Sequence, residues 1–272
     1  MIKKSTNWPV TILIALGSLL ILFPLYMTIA IALKNPEEMA QSIFSLPTGL
    51  HFENFSNAIK ATNFFNALGN STVITITTVV FILLTNSMVA YAIARNMKRR
   101  FFKVLYFYFI SAMFIPFQII MLPVVKVTTD LHMNNIVGII ILYVVYGLAF
   151  NVFVYTGYIR SIPYELEEAA TVDGASTFGT FWKIIFPLLA PVSATIGILS
   201  CLSTWNDFML PLILLGEDSY TLPLVQYVFQ GQFSTDFNLA FASYLLALTP
   251  MLIVYLFAQK WIISGLTSGS IK

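Results

Sequence analysis

An all-α protein that crosses a membrane six times is the fold this sequence predicts, and three observations predict it. The chain of 272 residues is 58% hydrophobic and 10% charged, against roughly 25% charged residues in soluble domains. Six windows, 5–33, 61–94, 104–125, 131–159, 184–206 and 237–259, hold no Asp, Glu, Lys or Arg over at least 22 residues each, and about 20 apolar residues span a hydrocarbon core as a helix. Lys and Arg are also distributed unequally between the segments that join these windows. Helix is the expected form because each backbone N–H and C=O must find its partner within the segment once water is gone. The windows are too long for barrel strands and lack their alternation.

Orientation follows the basic residues. With the N-terminus inside, the inner segments hold Lys3, Lys4, Arg95, Lys98, Arg99, Arg100, Lys103, Arg160, Lys183, Lys260 and Lys272, leaving Lys34, Lys60 and Lys126 outside. Both termini are therefore expected on the cytoplasmic side of a multi-pass protein of the cell membrane, and the whole chain, 1–272, reads as one transmembrane domain. The first window runs from Trp8 to Leu33, longer than the roughly 7–15 apolar residues of a cleaved signal and without a small-residue cleavage pattern. It reads as a retained helix.

The elements expected in order are helix 1 (about 9–33), an outer segment, helix 2 (about 69–94), the inner loop "RNMKRRFFK", helix 3 (about 104–126) and helix 4 (about 134–159). An inner loop (160–187), helix 5 (about 188–215), an outer loop (216–236) and helix 6 (about 237–262) complete the chain. The basic loop suits anionic lipid headgroups; no nucleic-acid partner is expected. Helix 3 carries Pro116 and Pro123 with Gln118 between them; prolines remove ladder hydrogen bonds and bend a helix, which serves either packing or the lining of a pathway. The outer segments exceed minimal connectors, so a partner on the outer face is expected.

Several chemistries are excluded. No Gly-Lys pair occurs, so the phosphate cradle G-x-x-x-x-G-K-[ST] is missing and ATP is not handled here by that route. His51 and His132 lie far apart and read as loop residues rather than metal ligands; Cys201 alone builds no disulfide. Asp207, in "TWNDFMLPLI", is the acid within a span. An intramembrane carboxylate is costly and points to function: either a proton relay in a secondary transporter, or a group facing the bundle interior or an aqueous cavity beside Asn206. A relay normally brings further acids or histidines into the membrane, and the six expected helices hold none besides Asp207.

The inner loop carries the most distinctive pattern. In "SIPYELEEAATVDGAS", Ser161 can cap a helix, Pro163 suits its first turn, and Glu165, Glu167 and Glu168 complement the positive end of its dipole. Leu166, Ala169 and Ala170 share a face, and alanines let another surface approach closely. Asp173-Gly174 breaks the helix. Beyond it Phe178, Phe181, Trp182 and Ile185 recur at helical spacing, a stripe suited to the membrane boundary. The loop thus reads as an elbow.

Glu168-Ala169-Ala170, then Gly174, then Ile184-Ile185-Phe186-Pro187 resembles the EAA signature of membrane subunits in binding-protein-dependent ABC importers, at every spacing, with Phe186 where the pattern prefers Leu. "DGAS", "FIPFQIIMLP", "WNDFMLPL", "TLPLVQY" and "GLTSGSIK" are similar, in that order, to the carbohydrate branch, particularly the second permease subunit of maltose-type systems.

The resemblance implies a type I ABC importer permease fold and a non-catalytic subunit that forms half of a path for sugars, oligosaccharides in particular. Its implied partners are a homologous sister permease, two cytosolic ABC ATPase subunits and an extracytoplasmic sugar-binding protein, with ATP and Mg held by the ATPases and no cofactor held by this chain. The elbow becomes a coupling helix: Glu168 contacts the ATPase, Ala169 and Ala170 fit its cleft, Gly174 makes the turn, and Asp173, Ile184 and Pro187 complete the coupling loop. Trp205, Asn206 and Asp207 are candidates for lining the translocation path, and Tyr220, Gln226 and Gln230 lie in a loop similar in position to one that reaches the binding protein. The C-terminal tail is a further ATPase contact. The same scaffold serving another polar solute, such as a phosphorylated polyol, and a proton-coupled transporter using Asp207 are the alternatives.

Overall fold

The computed structural model describes residues 7–232 and 236–268, and the side chains of these except 228–232, 258 and 260–268. The described residues form helices and no strand. Two compact units divide the chain, one of residues 1–65 and 225–253, the other of residues 66–224 and 254–272.

In the first unit, α1 (Trp8–Ala32) is apolar throughout and exposed along its first two-thirds, as a lipid-facing helix is. Its last turn enters a folded outer cap rather than a connector. Asn35 opens α2 (Pro36–Gln41) with a reciprocal capping box: Asn35 Oδ1 accepts from the Glu38 N–H at 2.8 Å, and the Asn35 N–H donates to Glu38 Oε2 at 3.1 Å. Glu38 Oε1 accepts from the Thr48 N–H at 2.9 Å and from the Thr48 hydroxyl. These donors, the hydroxyl first, hold the Glu38 carboxyl at about 2, well below its ordinary value.

The carbonyls that end α1 lack intrahelical partners, and side-chain amides supply them. Asn54, on α3 (Glu53–Ala61), donates to the Ala32 and Lys34 carbonyls at 2.9 and 2.8 Å, and Asn238 donates to those of Ile31 and Lys34 at 3.1 and 2.7 Å. Lys34 is fully buried, its Nζ donating to the Ser42 and Ile43 carbonyls at 2.7 and 3.0 Å and to Ser45 Oγ at 3.1 Å. Ala32, Ala58 and Ala242 form the small-residue contact beneath.

The second unit is built around α4 (Phe64–Arg95), which contains a π turn over Ile82–Asn86, and α7 (Ile136–Ile159), capped by Asn135 accepting from the Gly138 N–H at 3.0 Å. Ile93, Val152, Tyr155, Ile159, Ile185 and Ile196 are buried between them and their neighbours. Helix 3 departs from the kinked span expected over 104–126. It is two helices, α5 (Arg100–Ala112) and α6 (Phe117–Asp130), bent by 107°. Pro116 is the physical reason: it has no N–H to continue the ladder and stands extended before α6, whereas Pro123 is accommodated inside α6.

After α8 (Glu165–Val172) and α9 (Thr177–Leu188), the chain turns by 76° into α10 (Ala190–Asn206). The helix expected over 188–215 stops at Asp207 and resumes as α11 (Met209–Leu214). The outer loop likewise differs from expectation, since it contains α12 (Leu222–Gln232); α13 (Phe237–Ser268) follows. Among the described residues, α1, α4, α7 and residues Phe237–Phe257 of α13 are long and apolar enough to cross a membrane, and counting each of the bent pairs α5–α6 and α9–α10 as one span gives up to six.

Candidate functional site

The elbow forms as two helices around one glycine. α8 ends at Asp173, and Gly174 takes φ +83°, a conformation that costs an L side chain roughly 1–2 kcal/mol. No atom lies within 4 Å of where a Cβ would stand at Gly174, so conformation rather than space requires glycine here. Ser176 then accepts from the Gly179 N–H at 3.1 Å and starts the second arm. At the other end Ser161 does not cap α8: its hydroxyl donates to the Tyr158 carbonyl at 2.7 Å, finishing α7, and Tyr164 precedes α8 without a side-chain cap. Ser161 lies too far ahead of Glu165 to reach its first-turn N–H groups.

Three adjacent carboxylates divide by direction. Glu165 and Glu168 are exposed, but Glu167 is buried. Its Oε2 accepts from the Tyr91 hydroxyl at 2.7 Å and its Oε1 from Arg95 Nε at 2.6 Å, while Arg95 also donates to the Ile162 carbonyl at 3.2 Å. The Tyr164 ring lies 5.6 Å from the same guanidinium. Glu167 thereby fastens α8 to the inner end of α4, beside a cavity of about 570 Å³. Charge-assisted bonds of this length are the strong kind.

That anchor fixes which face of α8 is presented. Glu168, Ala169, Asp173 and Gly174 are exposed, as are Leu166 and Val172, the latter at 87%. Ala170 is turned inward at 6%, so the two alanines do not share a docking face: Ala169 faces out and Ala170 packs within the chain. In the second arm Phe181 and Ile185 are buried, Trp182 and Ile184 half-buried, and Phe178 and Pro187 exposed. The expected membrane stripe is thus split, because a π turn over Phe181–Ile185 shifts the register.

A second polar site lies within the membrane windows. At the break between α10 and α11, Asp207 Oδ1 accepts from the Met209 N–H at 2.9 Å and Oδ2 from the Tyr143 hydroxyl at 2.8 Å. Asn206 is exposed, with its amide on the Leu202 carbonyl at 2.8 Å. Both line a cavity of about 680 Å³ with Gln118, Phe117, Tyr146 and Ser203. Trp205 is buried at 9% and is not among the lining residues. An adjoining cavity of about 430 Å³ shares Tyr143, Tyr146, Phe150 and Ser203 and adds Asn151. A side chain at Gly147 would meet the amide nitrogens of Asn151 and Asn86 at 2.9 and 3.2 Å, so glycine keeps this polar wall intact.

On the outer side, Tyr220 is half-buried, its carbonyl accepting from Asn70 at 3.1 Å. Gln226 is also half-buried and accepts from Ser243 Oγ at 2.5 Å, so its side chain is engaged within the chain instead of extending outward. The side chain of Gln230 and the end of the C-terminal tail, residues 269–272, lie outside what is described.

Sequence reasoning named Glu167 only as a helix-dipole partner and Arg95 only as an inner basic residue, without pairing them, and missed Tyr91, Tyr143 and Asn151. An adjacent pair of acids and an Arg at the end of a span were the available signals for the first two.

Residues 86–268 match the family described as "Binding-protein-dependent transport system inner membrane component". The multiple sugar-binding transport system permease protein MsmG of Streptococcus mutans is 41% identical over 265 residues, covering 96% of this chain and 95% of its own length. The melibiose/raffinose/stachyose import permease protein MelC of Bacillus subtilis is 34% identical over 266 residues, covering 97% and 96%. A bacterial ABC transporter involved in the import of the acidic polysaccharide alginate contains a chain that superposes with a TM-score of 0.81 at 25% identity, covering 92% of this chain and 94% of that one. The coverage runs through the elbow, the broken spans and the outer cap alike, and the chain therefore belongs to the binding-protein-dependent transport family as the multi-pass membrane permease of an ABC importer.

Proposed function

We propose that this chain is one of two permease subunits in a sugar importer, and that α8 with Gly174 is the coupling helix through which a separate ATPase drives it. The observation that carries the reading is the anchored elbow: a buried Glu167–Arg95–Tyr91 cluster holds one face of α8, so that Glu168, Ala169 and Val172 on the other stand exposed on the inner side. An exposed Val beside Ala suits burial in a cleft, and Glu168 at the rim suits a basic or hydrogen-bonding group on the partner.

In this reading a sister permease completes the path, two ATPases hold ATP and Mg, and a binding protein delivers substrate at the outer face. Nucleotide binding supplies the closure of the ATPases; the permease residues carry that motion. Glu167 and Arg95 make α8 and the inner end of α4 move as one piece, and Asn206 and Asp207 line the path that opens. The names of MsmG and MelC, both sugar permeases over nearly their whole length, support sugar as the solute class.

Gly174→Val tests the coupling assignment in the complete transporter. The expected outcome is normal membrane abundance with substrate-stimulated ATP hydrolysis reduced at least about tenfold, because a side chain at φ +83° displaces the second arm. Wild-type stimulation in that variant would remove the elbow from the coupling path.

A further inference from the structure

Resting on the sugar-importer reading, we propose that the two adjoining cavities at the α10–α11 break form a saccharide subsite of this subunit's own, selective for uncharged sugars. Two features of the molecule meet here. The first is a built polar site in an apolar setting. Asn151 is 2% exposed and its Nδ2 has no hydrogen-bond partner, yet it lines the smaller cavity. A buried amide donor left unpaired is costly, and a hydroxyl-bearing ligand removes that cost. In the adjoining cavity, Tyr143 and Asp207 form a donor–acceptor pair at 2.8 Å. The Tyr143 proton is directed to the carboxylate, so the phenolic oxygen is left to accept from a sugar hydroxyl, and Asp207 retains lone pairs to accept another.

Aromatic rings supply the matching apolar surface. Tyr146 and Phe150 line both cavities, and Phe117 stands against Tyr146 edge-to-face, with ring centroids 5.8 Å apart at 88°. That arrangement holds the Tyr146 ring rigid. A pyranose presents axial C–H groups on its faces and hydroxyls around its rim, which is the pattern of rings beside Asn151, Tyr143 and Asp207. The volumes, about 680 and 430 Å³, fall within the roughly 300–1,000 Å³ of small-molecule sites.

The second feature is charge. Among the residues lining the two cavities, Asp207 carries the formal charge and no Lys, Arg or His accompanies it. Unlike-charged partners are needed to hold a carboxylate or phosphate away from bulk water, and a fixed carboxylate repels one. The site therefore favours neutral oligosaccharides and disfavours uronates and sugar or polyol phosphates.

Equilibrium binding to the complete complex in lipid nanodiscs, with the binding protein omitted, tests this. The probes are radiolabelled raffinose, maltotriose and trigalacturonate, used beside uptake of the same three by cells carrying the full system. At least one neutral probe is expected to bind, and trigalacturonate to bind at least about tenfold more weakly. Tyr146→Ala or Asn151→Leu is expected to weaken the neutral probe about tenfold while Tyr146→Phe changes it less than about threefold, and Asp207→Asn to bring neutral and acidic probes within about threefold of each other. Assembly is checked by co-purification of all subunits, and Asn151→Ser provides a smaller replacement where Asn151→Leu fails to assemble. Neutral-sugar affinity unmoved by Tyr146→Ala and by the assembled Asn151 variant, with uptake intact, overturns the subsite and leaves the importer reading standing. Uptake of none of the three by wild-type cells, with all subunits assembled, overturns the neutral-oligosaccharide reading on which the subsite rests.

Discussion

Glu167 and Asp207 are alike at first sight: each carboxylate accepts a tyrosine hydroxyl, at 2.7 and 2.8 Å. Their second partners separate them. Glu167 receives a guanidinium at 2.6 Å, and Asp207 a peptide N–H at 2.9 Å. The first cluster is electrically balanced and closes upon itself, so its work is to hold α8 against α4. The second keeps its negative charge and faces a cavity, so its field falls on whatever enters. A neutralised carboxylate makes an anchor, and in the proposed subsite an un-neutralised one would act as a filter.

Removing the anchor is the sharpest way to break that comparison. Glu167→Ala strands Arg95, which a carboxylate shields at its Nε, and loss of one partner of a buried pair costs about 3–5 kcal/mol. The expected result is faster tryptic cleavage at Arg160 and Lys183, on either side of α8, and loss of coupled ATP hydrolysis. Combining Glu167→Gln with Arg95→Gln is expected to restore part of the protection.

The tyrosines sharpen it on a smaller scale. Tyr143→Phe and Tyr91→Phe each delete one hydrogen bond to a carboxylate, about 1.5–3 kcal/mol, but Glu167 keeps Arg95 while Asp207 keeps a single N–H. Thermal unfolding of the purified complex is therefore expected to fall more for Tyr143→Phe. Equal shifts would mean that the guanidinium contributes nothing to holding Glu167.

A third carboxylate extends the comparison outside the membrane and gives the smallest effect. Glu38 is held at about 2 by the Thr48 hydroxyl and by peptide N–H groups. Because its folded value lies below its ordinary 4.5, its stabilisation of the outer cap is fully present above pH 4.5 and is lost as pH falls from there through 2. Protection of the Thr48 amide from hydrogen exchange, measured relative to its intrinsic rate at each pH, is expected to hold from neutral pH to near pH 4 and to fall below it, and Glu38→Gln to flatten that dependence.

The windows without charge made the crossings legible, because a charge in the hydrocarbon core is costly, but the same windows hid bends of 107° within 104–125 and 76° within 184–206. Gly174 was legible for a similar reason: a glycine after Asp at the end of a short acidic helix has few other uses. What escaped depends on distant partners. Nothing in "ELEEAA" tells Glu167 from Glu168; the difference is Arg95 and Tyr91, 72 and 76 residues away. Pro116 announced a bend, but not that it reaches 107° and divides the span into two helices. Asp207 was visible as an intramembrane acid, yet its role at a helix break requires Tyr143, 64 positions earlier. Lys34 looked like an ordinary outer lysine because the carbonyls that surround it carry no side-chain signature.

Lys34 also has a consequence for anyone mapping which side of the membrane each segment occupies. Its ammonium protons are spent on two carbonyls and a hydroxyl, and its side chain is fully enclosed. Amine-reactive reagents applied from outside intact cells will therefore mark Lys60 and Lys126, both exposed, and leave Lys34 silent, so that a labelling experiment read without the structure would assign the end of the first crossing to the wrong side.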